Sequence, residues 1–298
     1  MTAQRRSLDI PTASLMVLLC ALWGLQQVAV KLAAPSIGTV LQTGLRSLIA
    51  ALLVCALMLI RRTPFTLRDG TLWPGIAAGC LFAAEFLCLA VGLNLTSASR
   101  IVVFLYTAPI FTVLGLHWLV PGERLRTAQW LGIVVAFVGI AAAFSTGYNA
   151  SGMPINGTVF GDLLGVAGAL LWSATTLLIR GSALSEAPPS KTLLYQLGVT
   201  AALVLPLAAV TGEFGRVSMT SIAWGSLFFQ SVIVTFASYL AWFWILRRYL
   251  ASRVSVFSFL TPLFGVGFGM LLLHDVVALR FAVGAALVLA GIVLVNFR

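Results

Sequence analysis

The chain has 298 residues, of which 60% are hydrophobic and only 9% charged, whereas roughly a quarter of the residues in soluble domains are charged. A soluble globule of this size cannot hide so much apolar surface, so lipid is the expected solvent. The net charge of +10 does not point to nucleic acid, because the basic residues stand singly or in pairs between apolar stretches, where membrane topology accounts for them.

Apolar stretches of about twenty residues, the length that crosses a ~30 Å hydrocarbon core, follow one another along the whole chain. Five fall at residues 12–34, 37–60, 72–95, 98–119 and 127–147, and five more at 158–180, 190–211, 220–246, 252–273 and 277–297. The expected fold class is an all-α polytopic membrane protein with ten transmembrane helices. Arg5 and Arg6 ahead of the first stretch also suit a secretory signal, but nine further stretches follow, so it reads as the first span.

In span one, Trp23, Gln27 and Lys31 project to nearly one side. Lys31 is expected to snorkel to the outer interface. Trp23 lies too deep for an interfacial aromatic belt, which leaves a cavity wall or plain packing. Two ionisable groups then fall within spans, where a charge costs about 2.5–3.5 kcal/mol on insertion scales. Arg46 in span two either fixes a substrate carboxylate or serves structure by pairing with Glu85, a helix end or a carbonyl; the structural reading is favoured. Glu85, halfway along span three, is either a cavity carboxylate that holds an ammonium group or exchanges a proton, or a protonated packing residue. Its shared face with Phe82 and Gly92 favours the cavity.

Gly75 and Gly79 in span three form a GxxxG pair suited to close helix contact. Span four contributes Tyr106 as a candidate wall residue, and Pro109 beside Thr107. Proline removes a backbone donor and frees a carbonyl, so Pro109 and its counterpart Pro262 beside Thr261 in span nine are expected hinges. Gly132, Ala136, Gly139 and Ala143 line one face of span five. A Gly- and Asn-rich interruption follows, and residues 148–157 are read as a linker on the outer side. Span six supplies Trp172, again well inside. Span eight carries Thr235, Ser238, Tyr239, Trp242 and Phe243, with 235, 238 and 242 on one helix face. Such a stripe would suit a solute with an aromatic or apolar body and a polar end, although aromatic stripes also serve simply as core.

Cys20, Cys55, Cys80 and Cys88 lie within apolar stretches without a CxxC pair, and His117 and His274 stand far apart, so neither a disulfide framework nor a metal site is expected. The Gly265–Gly269 run lies inside a span without a following Lys-Ser/Thr, so it does not read as a phosphate loop. No cofactor and no enzymatic activity are expected.

Counting Lys and Arg by loop sets the orientation. With the amino terminus inside, thirteen fall on the inner side and four, Lys31, Arg100, Arg216 and Arg280, on the outer. Both termini are therefore expected in the cytoplasm. The chain also repeats itself. Ala98-Ser99-Arg100, Phe104 and Thr107 to Phe111 are echoed by Ala251-Ser252-Arg253, Phe257 and Leu260 to Phe264 at a constant offset of 153. Gly132 and Gly139 recur as Gly284 and Gly291, and Ala21-Leu22-Trp23 as Leu170-Leu171-Trp172. Five spans per half is an odd number, so residues 1–147 and 158–298 are expected to be inverted repeats, a plan recurrent among carriers.

Several of these elements together resemble the drug/metabolite transporter superfamily in its EamA-type branch. They are Trp23-Gly24 with Lys31, the Arg46 region, Ala98-Ser99 leading to Pro109, Pro121-Gly122-Glu123 before span five, and Gly161-Asp162-Leu163-Leu164 opening span six. His274-Asp275 stands where a second Glu123 would be, so a role for that position does not carry to the second half. The chain looks most like bacterial exporters of aromatic and other amino acids. The resemblance implies a bacterial inner-membrane protein that exports amino acids or related amphiphiles. The residues themselves leave hydrophobic cations or other metabolites as alternative cargo, and an intramembrane enzyme as a distant one. Expected partners are the lipid bilayer and a small-molecule substrate, with no nucleic acid. Expected substrate contacts are Trp23, Gln27, Glu85, Tyr106, Trp172, Ser238, Tyr239 and Trp242, with Glu85 also the proton-coupling candidate.

Overall fold

The computed structural model describes residues 10–63, 66–119, 125–144, 155–248 and 260–296. Among them there are only helices and their connections. The helices are α1 (Ile10–Ala33), α2 (Thr39–Ile60), α3 (Leu72–Leu95), α4 (Ala98–Leu105), α5 (Ala108–Leu119), α6 (Thr127–Phe144), α7 (Ile155–Arg180) and α8 (Pro189–Val210). Then come α9 (Ser221–Phe228), a π-helical stretch Phe229–Ser238, α10 (Tyr239–Arg248), α11 (Leu260–Leu273) and α12 (Leu279–Asn296). Seven stretches are long and apolar enough to cross a membrane, counting 98–118 and 221–242 as single passages, and three shorter apolar helices occupy the fifth, ninth and tenth expected positions.

Local chemistry sets the helix ends. Ser97 caps α4 by accepting from the Arg100 N–H, and Thr220 caps α9 by accepting from Ala223, each satisfying a donor that has no partner inside the helix. Pro189 opens α8, where its missing N–H costs nothing. Large apolar side chains such as Leu52, Leu59, Leu131 and Leu271 remain exposed, which is tolerable because the surrounding solvent is hydrocarbon. Trp73, Trp118, Trp130 and Trp224 are exposed within a turn or two of helix ends, where amphipathic rings meet the headgroups.

The structure departs from the sequence expectation in three places. Span four is not one kinked helix: α4 stops at Leu105, and α5 starts afresh at Ala108. Pro109 therefore sits in the first turn of a new helix, where it needs no hydrogen-bond partner. Span eight is not an ordinary α-helix, since Phe229–Ser238 is π-helical. The sixth passage, α7, starts at Ile155, three residues ahead of the expected 158. The rest of the expected linker, Glu123 and residues 252–259 of span nine lie outside the described residues.

Glycines decide the closest helix contacts. Gly75 and Gly79 of α3 meet Tyr195 and Val199 of α8, where added Cβ atoms would fall 2.5 Å away. α6 and α12 join along the small face foreseen in the sequence. A Cβ on Gly291 would lie 2.5 Å from the Gly132 carbonyl and 2.6 Å from the Ala136 nitrogen. A Cβ on Gly139 would lie 2.6 Å from the Gly284 carbonyl and from the Val288 nitrogen. Repeat-related positions thus make the same contact twice, once in each direction. Gly291→Leu is expected to lower stability by about 1–3 kcal/mol, because backbone rather than a movable side chain blocks the added atoms. Thermal unfolding in detergent checks this against Gly225→Ala, whose Cβ would meet nothing within 4 Å and should change little.

Polar clusters tie the ends of the helices. Beyond the carboxyl end of α3, Arg100 makes a buried ion pair with Asp162 of α7, and Asp162 also accepts from Thr96 Oγ1 at 3.1 Å. Arg100 donates to the Ala143 carbonyl of α6 at 3.1 Å and faces the Phe281 ring of α12 at 4.9 Å. Nearby, Asp275 accepts from Ser99 Oγ at 2.7 Å. Lys31 donates to the Thr96 carbonyl, closing a helix end rather than reaching for the interface. At the amino end of α3, Lys191 pairs with Asp69, which also accepts from Thr71 Oγ1 at 2.6 Å.

The hydrogen bond from Lys191, followed by that from Thr71, pulls the Asp69 carboxyl down to about 2. The folded state then binds its proton later than the unfolded chain does. This contribution to stability is complete above the ordinary Asp value of ~3.9 and is lost as pH falls toward about 2. Asp69→Asn is expected to flatten the acid-side fall in melting temperature over that window, and melting curves at stepped pH check it.

Candidate functional site

Seven of the eight expected site residues fall into two adjoining groups in the interior, and Gln27 joins neither. In the first, Trp23 of α1 donates from Nε1 to Ser238 Oγ at 2.9 Å and meets Trp242 of α10 edge-on, with ring centroids 5.6 Å apart. Trp23 can sit so deep because Gly24 lets α1 approach α11: a Cβ there would lie 2.7 Å from the Gly265 nitrogen. The indole N–H needs a partner once it leaves water, and Ser238 supplies it from the π-helical stretch. That stretch also turns Ser231 and Thr235 inward. π-turns often mark functional sites, and the sequence carries no periodic signal for one.

In the second group, Tyr106 stands at the break between α4 and α5 and packs edge-on against Trp172 of α7, centroids 5.4 Å apart. The break itself is closed locally, with Thr107 Oγ1 donating to the Phe104 carbonyl at 2.6 Å. Tyr106 is within electrostatic reach of Tyr239 and Glu85. It also lies beside Thr261 of α11, as does Cys20 of α1. Thr261, which sequence reasoning named only as a neighbour of Pro262, therefore lies between Tyr106 and Cys20, and Cys20 packs in one cluster with Trp23 and Trp242.

Glu85 is only 4% exposed and makes no hydrogen bond or ion pair among the described residues. Its charged neighbour is Arg46, 2% exposed, close enough for the two to feel each other's field. Among the described residues, Arg46 makes neither an ion pair nor a hydrogen bond to a helix end or carbonyl. Its guanidinium lies instead over the Phe86 ring, 3.9 Å from the centroid, an arrangement that a quadrupole supports without neutralising the charge. The Arg46 Nε is buried with no acceptor. Sequence reasoning left Phe86 unnamed; its position next to Glu85 carries no signal that it would shelve an arginine from another helix.

Gln27 is buried near this region, and no hydrogen bond ties it to the two groups. Gln26 has its amide nitrogen without a partner. A separate polar string joins α1, α2 and span eight: Gln230 Nε2 donates to Gln42 Oε1 at 2.8 Å and to Ser226 Oγ at 2.9 Å. The Phe243 side chain is outside the described residues. Pro262 is buried in the first turn of α11, and the residues before Leu260 are outside the described set.

The interior thus presents a carboxylate and a guanidinium that are not spent on each other, near Phe86, Tyr106, Trp172 and Tyr239, and next to an indole pair of which Trp23 is bonded to the Ser238 hydroxyl. Such a set can receive a small molecule that combines opposite charges with an apolar body. It offers no nucleophile with an aligned base among the described residues.

A model described as the EamA-like transporter family matches residues 11–145 and 159–297. The chain is 26% identical over 290 residues to the uncharacterized transporter YvbV of Bacillus subtilis (strain 168), spanning 96% of this chain and 92% of that protein. It is 26% identical over 291 residues to a "Probable amino-acid metabolite efflux pump" of Salmonella typhimurium, spanning 93% and 92%. A crystal structure of a protein with 19% identity is similar with a TM-score of 0.65, covering 95% of each chain; that likeness shows the fold alone.

Proposed function

We propose, from the premise that this chain belongs to the EamA-like transporter family, that it is a secondary carrier exporting amino acids, aromatic ones included, and related amphiphilic metabolites. The observation that carries this reading is Glu85, a carboxylate buried in mid-span with no ion pair among the described residues and with Tyr106 and Tyr239 nearby. A charge at that depth is retained at a cost, and a substrate or proton site is what repays it. The relatives that bear the name of amino-acid metabolite efflux pumps support the same cargo class.

Alternating access between inverted halves, residues 1–147 and 158–298 joined through 148–157, is the proposed mechanism. The two stretches matched by one family model and the reciprocal Gly291–Gly132 and Gly139–Gly284 contacts support it. Pro109 at the break between α4 and α5, with Pro262 as its counterpart in the sequence, is the proposed hinge pair. The proposed setting is the bacterial inner membrane, crossed ten times with both termini in the cytoplasm, and Glu85 is the proposed proton-coupling group. Hydrophobic cations are the second reading, favoured by a carboxylate among aromatic rings; the neighbouring guanidinium weighs against them.

Uptake by liposomes containing the purified protein, run against radiolabelled amino acids and amphiphilic cations, tests the cargo. Saturable uptake of amino acids supports the proposal. Uptake confined to cations moves the assignment to the second reading, and uptake that never saturates marks a pore. Labelling of single cysteines in 148–157 tests the topology: reactivity from the cytoplasmic side would overturn the inverted arrangement.

A further inference from the structure

We infer that Arg46 is the anchor for a substrate carboxylate, so that the site selects α-amino acids over amines of the same shape. The inference rests on the proposed amino-acid cargo and assigns the recognition of its acidic end. Arg46 is 2% exposed, its Nε is buried without an acceptor, and neither an ion pair nor a hydrogen bond holds its guanidinium among the described residues. Every other described cation in the interior region is engaged: Arg100 by Asp162, Lys191 by Asp69, Lys31 by the Thr96 carbonyl. Arg46 alone keeps its donors for something else.

What surrounds Arg46 narrows the ligand. Phe86 supports one face of the guanidinium at 3.9 Å, which leaves the in-plane N–H fork presentable edge-on, the geometry that grips a carboxylate by two parallel bonds. Glu85 sits close enough to repel a multiply charged anion, and a lone guanidinium cannot balance a phosphate against it. A zwitterion satisfies both groups, its carboxylate on Arg46 and its ammonium on Glu85, while Tyr106, Trp172 and Tyr239 cover an aromatic or apolar side chain. The equivalents one repeat offset away are Val199 and Ser238, so only the first half carries the charged pair. The substrate would then bind in one polarity.

The test compares L-phenylalanine with phenethylamine, which lacks only the carboxylate, and with the methyl ester of L-phenylalanine, in proteoliposomes of the full chain. For the unaltered protein, amine and ester are expected to compete with radiolabelled L-phenylalanine about tenfold to a hundredfold more weakly than unlabelled L-phenylalanine does, the range of a lost charged hydrogen bond. Arg46→Gln is expected to lose L-phenylalanine uptake by a similar factor and to compress that discrimination toward unity, with Arg46→Lys between the two. Equal competition by amine and amino acid in the unaltered protein overturns the assignment even if Arg46→Gln fails to fold. Unimpaired uptake by Arg46→Gln overturns it alone, leaving amino-acid export standing. Unaltered protein that moves phenethylamine and no amino acid overturns both.

Discussion

Asp162→Ala is expected to cost on the order of 3–5 kcal/mol of stability, the range for stranding one member of a buried ion pair. Asp162 is 0% exposed and its partner Arg100 only 7%, so no water replaces the lost carboxylate. Arg100 would keep its bond to the Ala143 carbonyl and its position over Phe281, neither of which neutralises a full charge. Thr96 Oγ1 would lose its acceptor as well. Because these contacts gather α3, α4, α6, α7 and α12, the loss should appear as a cooperative drop in thermal unfolding rather than as local fraying. Asp162→Asn, which keeps the shape but not the charge, should lose nearly as much. A loss below about 1 kcal/mol in both variants would mean that the pair is solvated in the membrane.

A large effect on transport is expected from Glu85→Gln. Glutamine keeps the volume and removes the charge, so the fold should be unharmed or slightly steadier, since a charge at depth is costly. Transport should nevertheless fall about tenfold to a hundredfold, because the ammonium loses its counter-charge and the carrier its proton site. Any dependence of uptake on pH should flatten. Proteoliposome uptake at stepped pH, paired with thermal unfolding, separates this from damage to the fold. Unchanged uptake with unchanged pH dependence would remove Glu85 from the mechanism.

Much of the helical layout could be read from the sequence, because lipid makes hydrophobic length a direct record of the chain's path. The small face of α6 was legible too, since four small residues at helical spacing admit no large neighbour; that it meets the face carrying Gly284 and Gly291 became visible only in the structure. Trp23 and Trp172 were marked in the sequence by lying too deep for an interface, and Trp242 by its place on the span-eight stripe. The features that stayed hidden depend on geometry between helices or on backbone departures. Nothing in FQSVIVTFAS announces a π-helix, since the choice of hydrogen-bond register is made by packing against α1 and α2. The placement of Arg46 stayed hidden for a related reason. Proximity to Glu85 could be guessed, but whether two long side chains meet or diverge depends on rotamers and on Phe86. Asp162 was noticed as part of a motif, yet its partner became visible only when α4 met α7.

The seam between α6 and α12 has a consequence for how such a carrier would move. Exchanging the two halves maps the Gly291–Gly132 approach onto Gly139–Gly284, and those clearances are already matched, at 2.5 and 2.6 Å for an added Cβ. A contact that is its own mirror partner need not slide when the halves trade shapes. In the proposed cycle this pair of helices acts as an axle, stationary while the other passages rock about it, and friction along it is the same at both ends of the stroke.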